Sequence, residues 1–264
     1  MEETGYVIKY GSRELLIEEM RARGIECCIE PAIDVKSNEL LLKLSAEHPD
    51  FIYPAAGNHP TRCIYSSWGD FKLVREYAGM PGVIAVGETG LDYHLARKEQ
   101  RRFRQKIWFW YQIDLAYKLD LPLILHIRDA DEDAIRILRL NKRKIKDGVV
   151  HCFGSGPDAA RVYTEEFGLC IGIGGTLLMK PSISARLEQT VASIPMKYLL
   201  LETDAPFVKP FKPSEFSNKQ WEKARNTSFI LPAVAKKISE IKGISEDEVI
   251  SVTTANTKRV FGLS

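Results

Sequence analysis

Residues 83–93 read VIAVGETGLDY, and the reading of this stretch decides the fold. Its first half is an apolar, partly β-branched run of the kind that makes a strand buried on both faces. The run breaks at Gly87-Glu88-Thr89-Gly90, which places a carboxylate where a buried strand ends. Glycines on either side allow backbone or ligand to approach closely. An ionised carboxylate there needs a cation, a hydrogen-bond network or a metal to offset its burial.

The same arrangement recurs outward along the chain. Apolar runs over 25–32, 51–56, 121–125, 149–150, 169–173 and 198–201 predict further strands, preceded by a short one over 5–8. Apolar residues at helical spacing over 13–23, 38–47, 68–78, 100–119 and 132–140 predict the helices between them. Residues 221–263 read as helices parted at Gly243. The aromatics of 100–119 (Phe103, Trp108, Phe109, Trp110, Tyr111, Tyr117) are expected to serve core and helix packing. Eight strand–helix alternations fit either a (β/α)8 barrel or a doubly wound sheet. No G-x-G-x-x-G follows the first strand, which removes the usual support for a dinucleotide-binding sheet. His59, Glu88, His126, His151 and Asp204 each fall at the C-terminal end of a predicted strand. Only a closed barrel gathers such ends around one mouth, so the expected fold is α/β, a single (β/α)8 TIM-barrel domain over residues 1–264.

Composition narrows the partners. With 37 Lys and Arg against 35 Asp and Glu, the formal net charge is +2, too small for a global field to hold a polyanion. Affinity for nucleic acid must then come from local clusters or from a metal. Five cysteines without C-x-x-C spacing argue against a disulfide framework or structural zinc, and point to a reducing, cytoplasmic setting. The opening MEETGYVIKYGS has no apolar signal core and no run reaches the length of a membrane span, so no membrane association is expected.

Imidazole and carboxylate at barrel strand ends suit a divalent metal that keeps positions open for water and substrate. Three of the five histidines, His59, His126 and His151, occupy such ends, whereas His48 and His94 read as solvated. A metal there could activate water while a second carboxylate takes the proton. Asp204 suits that second role, since it follows the apolar run Leu199-Leu200-Leu201 and precedes the stiff Pro206.

GETGLDY, LHIRDA, HCFGSG, LLLETDAP and TTANTKRVFGL together resemble the signature set of the TatD-related metal-dependent DNases, within the amidohydrolase-like barrels. The resemblance covers nearly the whole chain and keeps the family's order of motifs. It implies metal ligands at Glu88, His126 and His151, with Asp204 as ligand or base. It implies hydrolysis of DNA phosphodiesters, commonly as a 3′–5′ exonuclease on single-stranded or frayed 3′ ends, with Mg²⁺ the expected ion and Mn²⁺ or Zn²⁺ the alternatives. DNA repair would be the setting and a monomer the expected state. Three departures stand out. The family's D-x-H-x-H falls on Glu3-Thr4-Gly5-Tyr6-Val7, which has no histidine, although a branch of the family similarly has glycine there. Its G-x-H-P-H is Gly57-Asn58-His59-Pro60-Thr61, and its R-N-E-P is Arg225-Asn226-Thr227-Ser228.

The densest basic run, RLNKRKIK over 139–146, lies before a predicted strand rather than after one, so it reads as a solvated face away from the site. His59, Arg128, Lys180, Lys209, Lys212 and Arg225 fall after strands and are the candidates for gripping substrate phosphates. Phe207, Phe211, Phe216 and Trp221, interleaved with lysines, offer surfaces for stacking bases or for packing their own loop. The competing activity is amide, ester or lactone hydrolysis, including deacylation of aminoacyl-tRNA, because the same barrel can attack a carbonyl. A decayed, non-catalytic binding protein is the third reading, against which the joint presence of Glu88, His126, His151 and Asp204 counts. Since a companion ion would lean on the absent first-strand histidines, exhaustively dialysed protein is expected to retain one divalent ion per chain. Elemental analysis finding two would refute this.

Overall fold

The aliphatic runs form strands and the amphipathic segments between them form helices, in a computed structural model that describes residues 6–7, 12–210 and 217–264. In chain order the elements are β1 (Tyr6–Val7), α1 (Arg13–Ala22), β2 (Cys28–Pro31), α2 (Val35–Glu47), β3 (Ile52–Ala56), α3 (Pro60–Cys63), α4 (Gly69–Ala78), β4 (Ala85–Asp92) and α5 (Glu99–Leu119). There follow β5 (Leu123–Arg128), α6 (Asp131–Leu140), β6 (Gly148–His151), α7 (Pro157–Arg161), β7 (Cys170–Ile173), α8 (Pro181–Ser193), β8 (Leu199–Leu201), α9 (Asn218–Lys223), β9 (Arg225–Asn226), α10 (Leu231–Lys242) and α11 (Glu246–Phe261). The sheet order is β2-β3-β4-β5-β6-β7-β8, with parallel pairing from β2 through β6 and from β7 to β8. Strands adjacent in chain order and joined by helices are the α/β architecture expected from the sequence.

Two expectations need correction. The strand predicted over 5–8 does not join the parallel sheet: Tyr6 pairs antiparallel with Asn226 and Val7 with Arg225, while Gly5 and Ile8 lie outside the described residues. Its partner β9 lies in the stretch 221–263 expected to be helical, because two extended residues are too few to show a period of their own. The run ahead of Glu88 also does not end at Gly87. It resumes to Asp92, and its register with β5 shifts between Val86 and Thr89. Glu88 therefore sits inside a strand at an irregularity that re-aims its side chain. Three unpredicted helices, α3, α7 and α8, each begin at a proline, which fits a first helical turn while reading as a breaker.

The chain makes two compact units interleaved in sequence. One comprises Cys27–His151, Arg161–Cys170 and Thr257–Ser264. Its buried side chains include Phe51, Trp108, Phe109, Ile113, Leu123 and Leu125, and every residue of β4 is buried. The aromatic stripe of α5 divides: Trp108 and Phe109 are buried, whereas Phe103, Trp110 and Tyr117 are exposed. Three buried amides tie the strand ends of this unit in place. Gln112 accepts from Asn58 N–H at 2.8 Å and donates to Thr89 Oγ1 at 2.7 Å. Two helical turns earlier, Gln105 accepts from Asp92 N–H at 3.0 Å and donates to Asp92 carbonyl at 3.1 Å. From α2, Asn38 donates to Gly57 carbonyl at 2.8 Å. The other unit comprises Met1–Glu26, Cys152–Ala160 and Ile171–Asn256, with Ile171, Ile173, Leu199, Val191, Val234 and Ile238 in its core.

Two glycines fix how closely these backbones approach. A Cβ at Gly57 would stand 2.8 Å from Gly87 Cα, closer than real Cβ atoms come. Gly90 has φ 134° and would drive a Cβ into the His126 carbonyl. Gly90→Ala therefore combines backbone strain with overpacking and is expected to cost about 3 kcal/mol or more. Gly154→Ala, where nothing lies within 4 Å, is expected to stay near wild type. Urea unfolding midpoints of the two variants check this.

Candidate metal centre

Glu88 is the hub. Inside β4 it has an apolar strand on either side and is only 7% exposed, so its charge cannot be met by solvent. Three imidazoles from three other segments converge on one of its oxygens. His126 Nδ1 from β5 lies 3.1 Å from Oε1, His59 Nε2 from the turn after β3 lies 3.6 Å away, and His151 Nε2 from the end of β6 lies against the same oxygen. Sheet register sets two of these positions, since His126 stands beside Gly90 on one neighbour and His151 on the other. The His59 ring meets His126 edge-on, centroids 4.4 Å apart. One donor atom from each of His59, Glu88 and His126 lies within 4.8 Å of the other two.

Around this hub the electrostatics favour a cation. Burial alone would push the Glu88 carboxyl up, but His151, His126 and His59 hold it well below the usual carboxylate range. Burial pushes His59 down to about 4, against the opposing pull of Glu88, leaving a neutral ring with a lone pair at neutral pH. For His126, burial works downward, yet hydrogen bonding to Asp92 and Glu88 raises it above the ordinary histidine value. Asp92 Oδ2 lies 3.2 Å from His126 Nε2, opposite Glu88, and orients that ring. His59 is oriented through Nδ1, which lies 2.7 Å from Thr61 Oγ1. An ionised carboxylate among three imidazoles is a donor set that fits a divalent ion.

Of the residues singled out from sequence, His59, Glu88, His126 and His151 meet here. His59, read as a phosphate-binding candidate, sits within the cluster itself. Arg128 ends β5 beside Asp92 in register and is exposed; burial works to raise the Asp92 carboxyl, but bonding to His126 and the Leu95 N–H, with the charges of His126 and Arg128, holds it below the ordinary aspartate value. Asp92 was missed although it lies in GETGLDY, because the apparent break at 87–90 hid the rest of the strand. Gln105 and Gln112 were missed too, and the available signal was two amides on the apolar face of a long helix.

In the second unit Asp204 follows β8, half-buried, with a left-handed backbone of φ 50° and Oδ2 3.8 Å from Cys152 Sγ. Asn226 brackets it: its side chain donates to Thr203 carbonyl at 2.8 Å and its N–H to Pro206 carbonyl at 3.1 Å. An outlying backbone held by hydrogen bonds on both sides is a common mark of a working residue. Lys180 is exposed at the start of α8. Lys209 donates to Trp221 carbonyl at 2.6 Å and stands over its ring, and Arg225 donates to Ala224 carbonyl at 3.1 Å. Lys212, Phe211 and Phe216 lie outside the described residues, as do Glu3, Thr4 and Gly5. The basic run over 139–146 is largely engaged in pairs, Arg139 with Glu166, Lys144 with Asp114 and Lys146 with Asp120.

The family model for TatD related DNase matches residues 6–262. The metal-dependent hydrolase YabD of Bacillus subtilis is 33% identical over 95% of this chain and 93% of its own length. The 3′-5′ ssDNA/RNA exonuclease TatD of a Rahnella species is 31% identical over 94% of this chain and 92% of its own. Among solved structures, the TatD homologue YjjV of Escherichia coli superposes with a TM-score of 0.84 at 26% identity, covering 96% of this chain and 93% of that one.

If the cluster holds a cation, a divalent ion at about a hundred times its dissociation constant stabilises the fold by roughly 2.7 kcal/mol. That corresponds to a rise of about 5–10 °C in the melting midpoint for a chain this long. Mn²⁺ or Zn²⁺ is expected to produce the rise in wild type and to lose it in Glu88→Gln. Differential scanning fluorimetry checks this, and equal rises in both proteins would count against the site.

Proposed function

Because this chain belongs to the TatD related DNase family, we propose that it is a metal-dependent deoxyribonuclease, acting as a 3′–5′ exonuclease on single-stranded or frayed DNA ends. The observation that carries the reading is the buried Glu88 carboxylate with three imidazoles converging on one oxygen. Glu88, His126, His151 and His59 hold the ion in this reading. Three imidazoles to one carboxylate favour Zn²⁺ over Mn²⁺ or Mg²⁺ at the tightly held position. Mg²⁺, expected from the resemblance, is better suited to a weaker ion carried in by phosphate.

A bound divalent ion would supply polarisation of the phosphoryl group and a lowered pKa for water. The remaining work falls to side chains. Asp92 keeps the His126 ring from turning by facing its second nitrogen. Asp204, assigned from LLLETDAP, takes the proton of the attacking water and is both ligand candidate and catalytic base. Asn226 positions Asp204 through the loop bonds on either side of it. Arg128, Lys180, Lys209 and Arg225 neutralise backbone phosphates. The cysteine pattern supports a cytoplasmic setting, and end trimming of this kind belongs to DNA repair. No described helix is long and apolar enough to cross a membrane. We read the active form as a monomer.

Role assignment is open to mutation. Asp204→Asn is expected to keep metal affinity near wild type while turnover falls by roughly 10²–10⁴, the range for losing a general base. Glu88→Gln removes a negative charge from the cation's surroundings, so its activity should recover in part at high metal concentration. Metal titrations of both variants on 3′- and 5′-labelled single- and double-stranded DNA check this. Rescue of Asp204→Asn by added ion would show that Asp204 is chiefly a ligand, and absence of any cleavage by wild type would end the nuclease reading.

A further inference from the structure

Two connections leave the strand ends that build the cluster: residues 57–68 after β3, and residues 93–98 after β4. In a parallel sheet both leave from the C-terminal edge, where His59 lies just beyond the end of β3 and Glu88 four residues before the end of β4. With the first turns of α5 they expose four large apolar side chains: Tyr65 at 75%, Trp68 at 64%, Leu95 at 57% and Phe103 at 62%. Three of the four are rings, and exposed apolar side chains concentrated on the segments leaving one edge mark a contact surface.

These rings rest on a firm base. Trp68 stacks on Phe71 at 5.4 Å and Phe71 stacks on the buried Trp108 at 3.9 Å, each pair within 11° of parallel. Trp68 is thus the outermost plate of a stack rooted in the core. Arg104, from α5, donates to Cys63 carbonyl at 3.4 Å and to Ser66 carbonyl, fixing the turn that carries Tyr65 and Trp68. Asn58 Nδ2 donates to Ser66 Oγ at 2.7 Å, linking that turn to the residue before His59.

Charge in the same segment is one-sided. Residues 95–106 read LARKEQRRFRQK, in which Glu99 is the one acid among Arg97, Lys98, Arg101, Arg102, Arg104 and Lys106. Arg104 serves the turn, Arg102 donates to Ala96 carbonyl and Lys106 pairs with Asp133. Arg97 and Lys98 are exposed, as is Arg62 on the neighbouring connection. Rigid planar rings among cations match the two faces of an unpaired strand, its bases and its phosphates, whereas a duplex keeps its bases stacked inward. An apolar protein partner would cover the rings and leave the cations unmatched.

We propose that Tyr65, Trp68 and Phe103, with Arg62, Arg97 and Lys98, form a platform on which the single-stranded DNA beyond the scissile phosphate is stacked and held. This rests on the nuclease reading of the cluster and adds where the rest of the strand lies. Residues Arg128, Lys180, Lys209 and Arg225, assigned to phosphates above, are not part of it.

The test uses the full chain, as wild type and as Tyr65→Ala, Trp68→Ala, Phe103→Ala and Arg97→Glu/Lys98→Glu. Binding of labelled single-stranded DNA from a dinucleotide to about twelve nucleotides is measured without metal. Cleavage of the same strands is measured with it. Each lost ring is expected to weaken binding of the longest strand about tenfold and to raise KM alike, with a penalty that shrinks as the strand shortens. The charge-reversed variant should flatten the salt dependence of binding. Trp110→Ala, further along α5, is the control and should match wild type. Tyr65 and Phe103 are exposed, so their variants should keep the wild-type melting midpoint.

Ring variants indistinguishable from wild type, or equally impaired at every length, would overturn the platform while leaving the nuclease reading standing if cleavage persists. Length-dependent loss of binding without any cleavage by wild type would support the platform and sink the nuclease reading. Wild type that binds no strand overturns the platform, and if it also cleaves none, the nuclease reading falls with it. Tighter binding of RNA or of duplex DNA of the same length would overturn the assignment to single-stranded DNA.

Discussion

An ionised carboxylate inside an all-buried strand is the constraint to which the surrounding structure answers. Glu88 has no solvent to meet its charge, so the fold must bring positive or polarisable groups to it. It does so with three imidazoles on one oxygen, each from a different strand or strand-end turn. The register of β4 with β5 and of β5 with β6 is what makes this convergence possible, since a slip of one residue would turn His126 or His151 to the other face. A buried carboxylate ringed by imidazoles is costly to hold without further positive charge, so a cation bound at this cluster would stabilise the unit.

Holding the hub requires a frame, and the frame is made of uncharged amides. Gln105 and Gln112 on α5 and Asn38 on α2 each exchange hydrogen bonds with backbone at Asp92, Asn58 or Gly57. An unmet buried N–H or carbonyl costs about 1–3 kcal/mol, so each amide opposes movement of the strand end it grips. The glycines at 57 and 90 complete the frame by letting backbones pass where a side chain would collide.

Much of this was legible in the sequence. The alternation of strands and helices gave the α/β barrel class, and His59, His126 and His151 followed from their places after apolar runs. What escaped detection has physical reasons. Asp92 lay beyond a glycine-rich interruption that looked like a strand end, because an irregular strand loses its sequence period before it loses its pairing. Helices opening on Pro60, Pro157 and Pro181 looked like loops. The pairing of Tyr6-Val7 with Arg225-Asn226 joins segments far apart in the chain through two residues each, a contact that no local pattern encodes. The aromatic stripe of α5 was half core and half surface, and apolar character alone does not separate the two.

The amide frame also has a bearing on how such a protein can change. Gln112 and Gln105 grip the roots of the two connections, at Asn58 and Asp92, and leave the tips of those connections to other forces. Under the proposed function, chemistry and selectivity would be housed in separable parts, with the gripped roots holding the cluster in place and the tips left to vary. If the platform holds the strand as proposed, replacing residues 64–68 or 94–98 would change which polymer is preferred without disturbing the cluster, so selectivity would diverge without a catalyst having to be rebuilt.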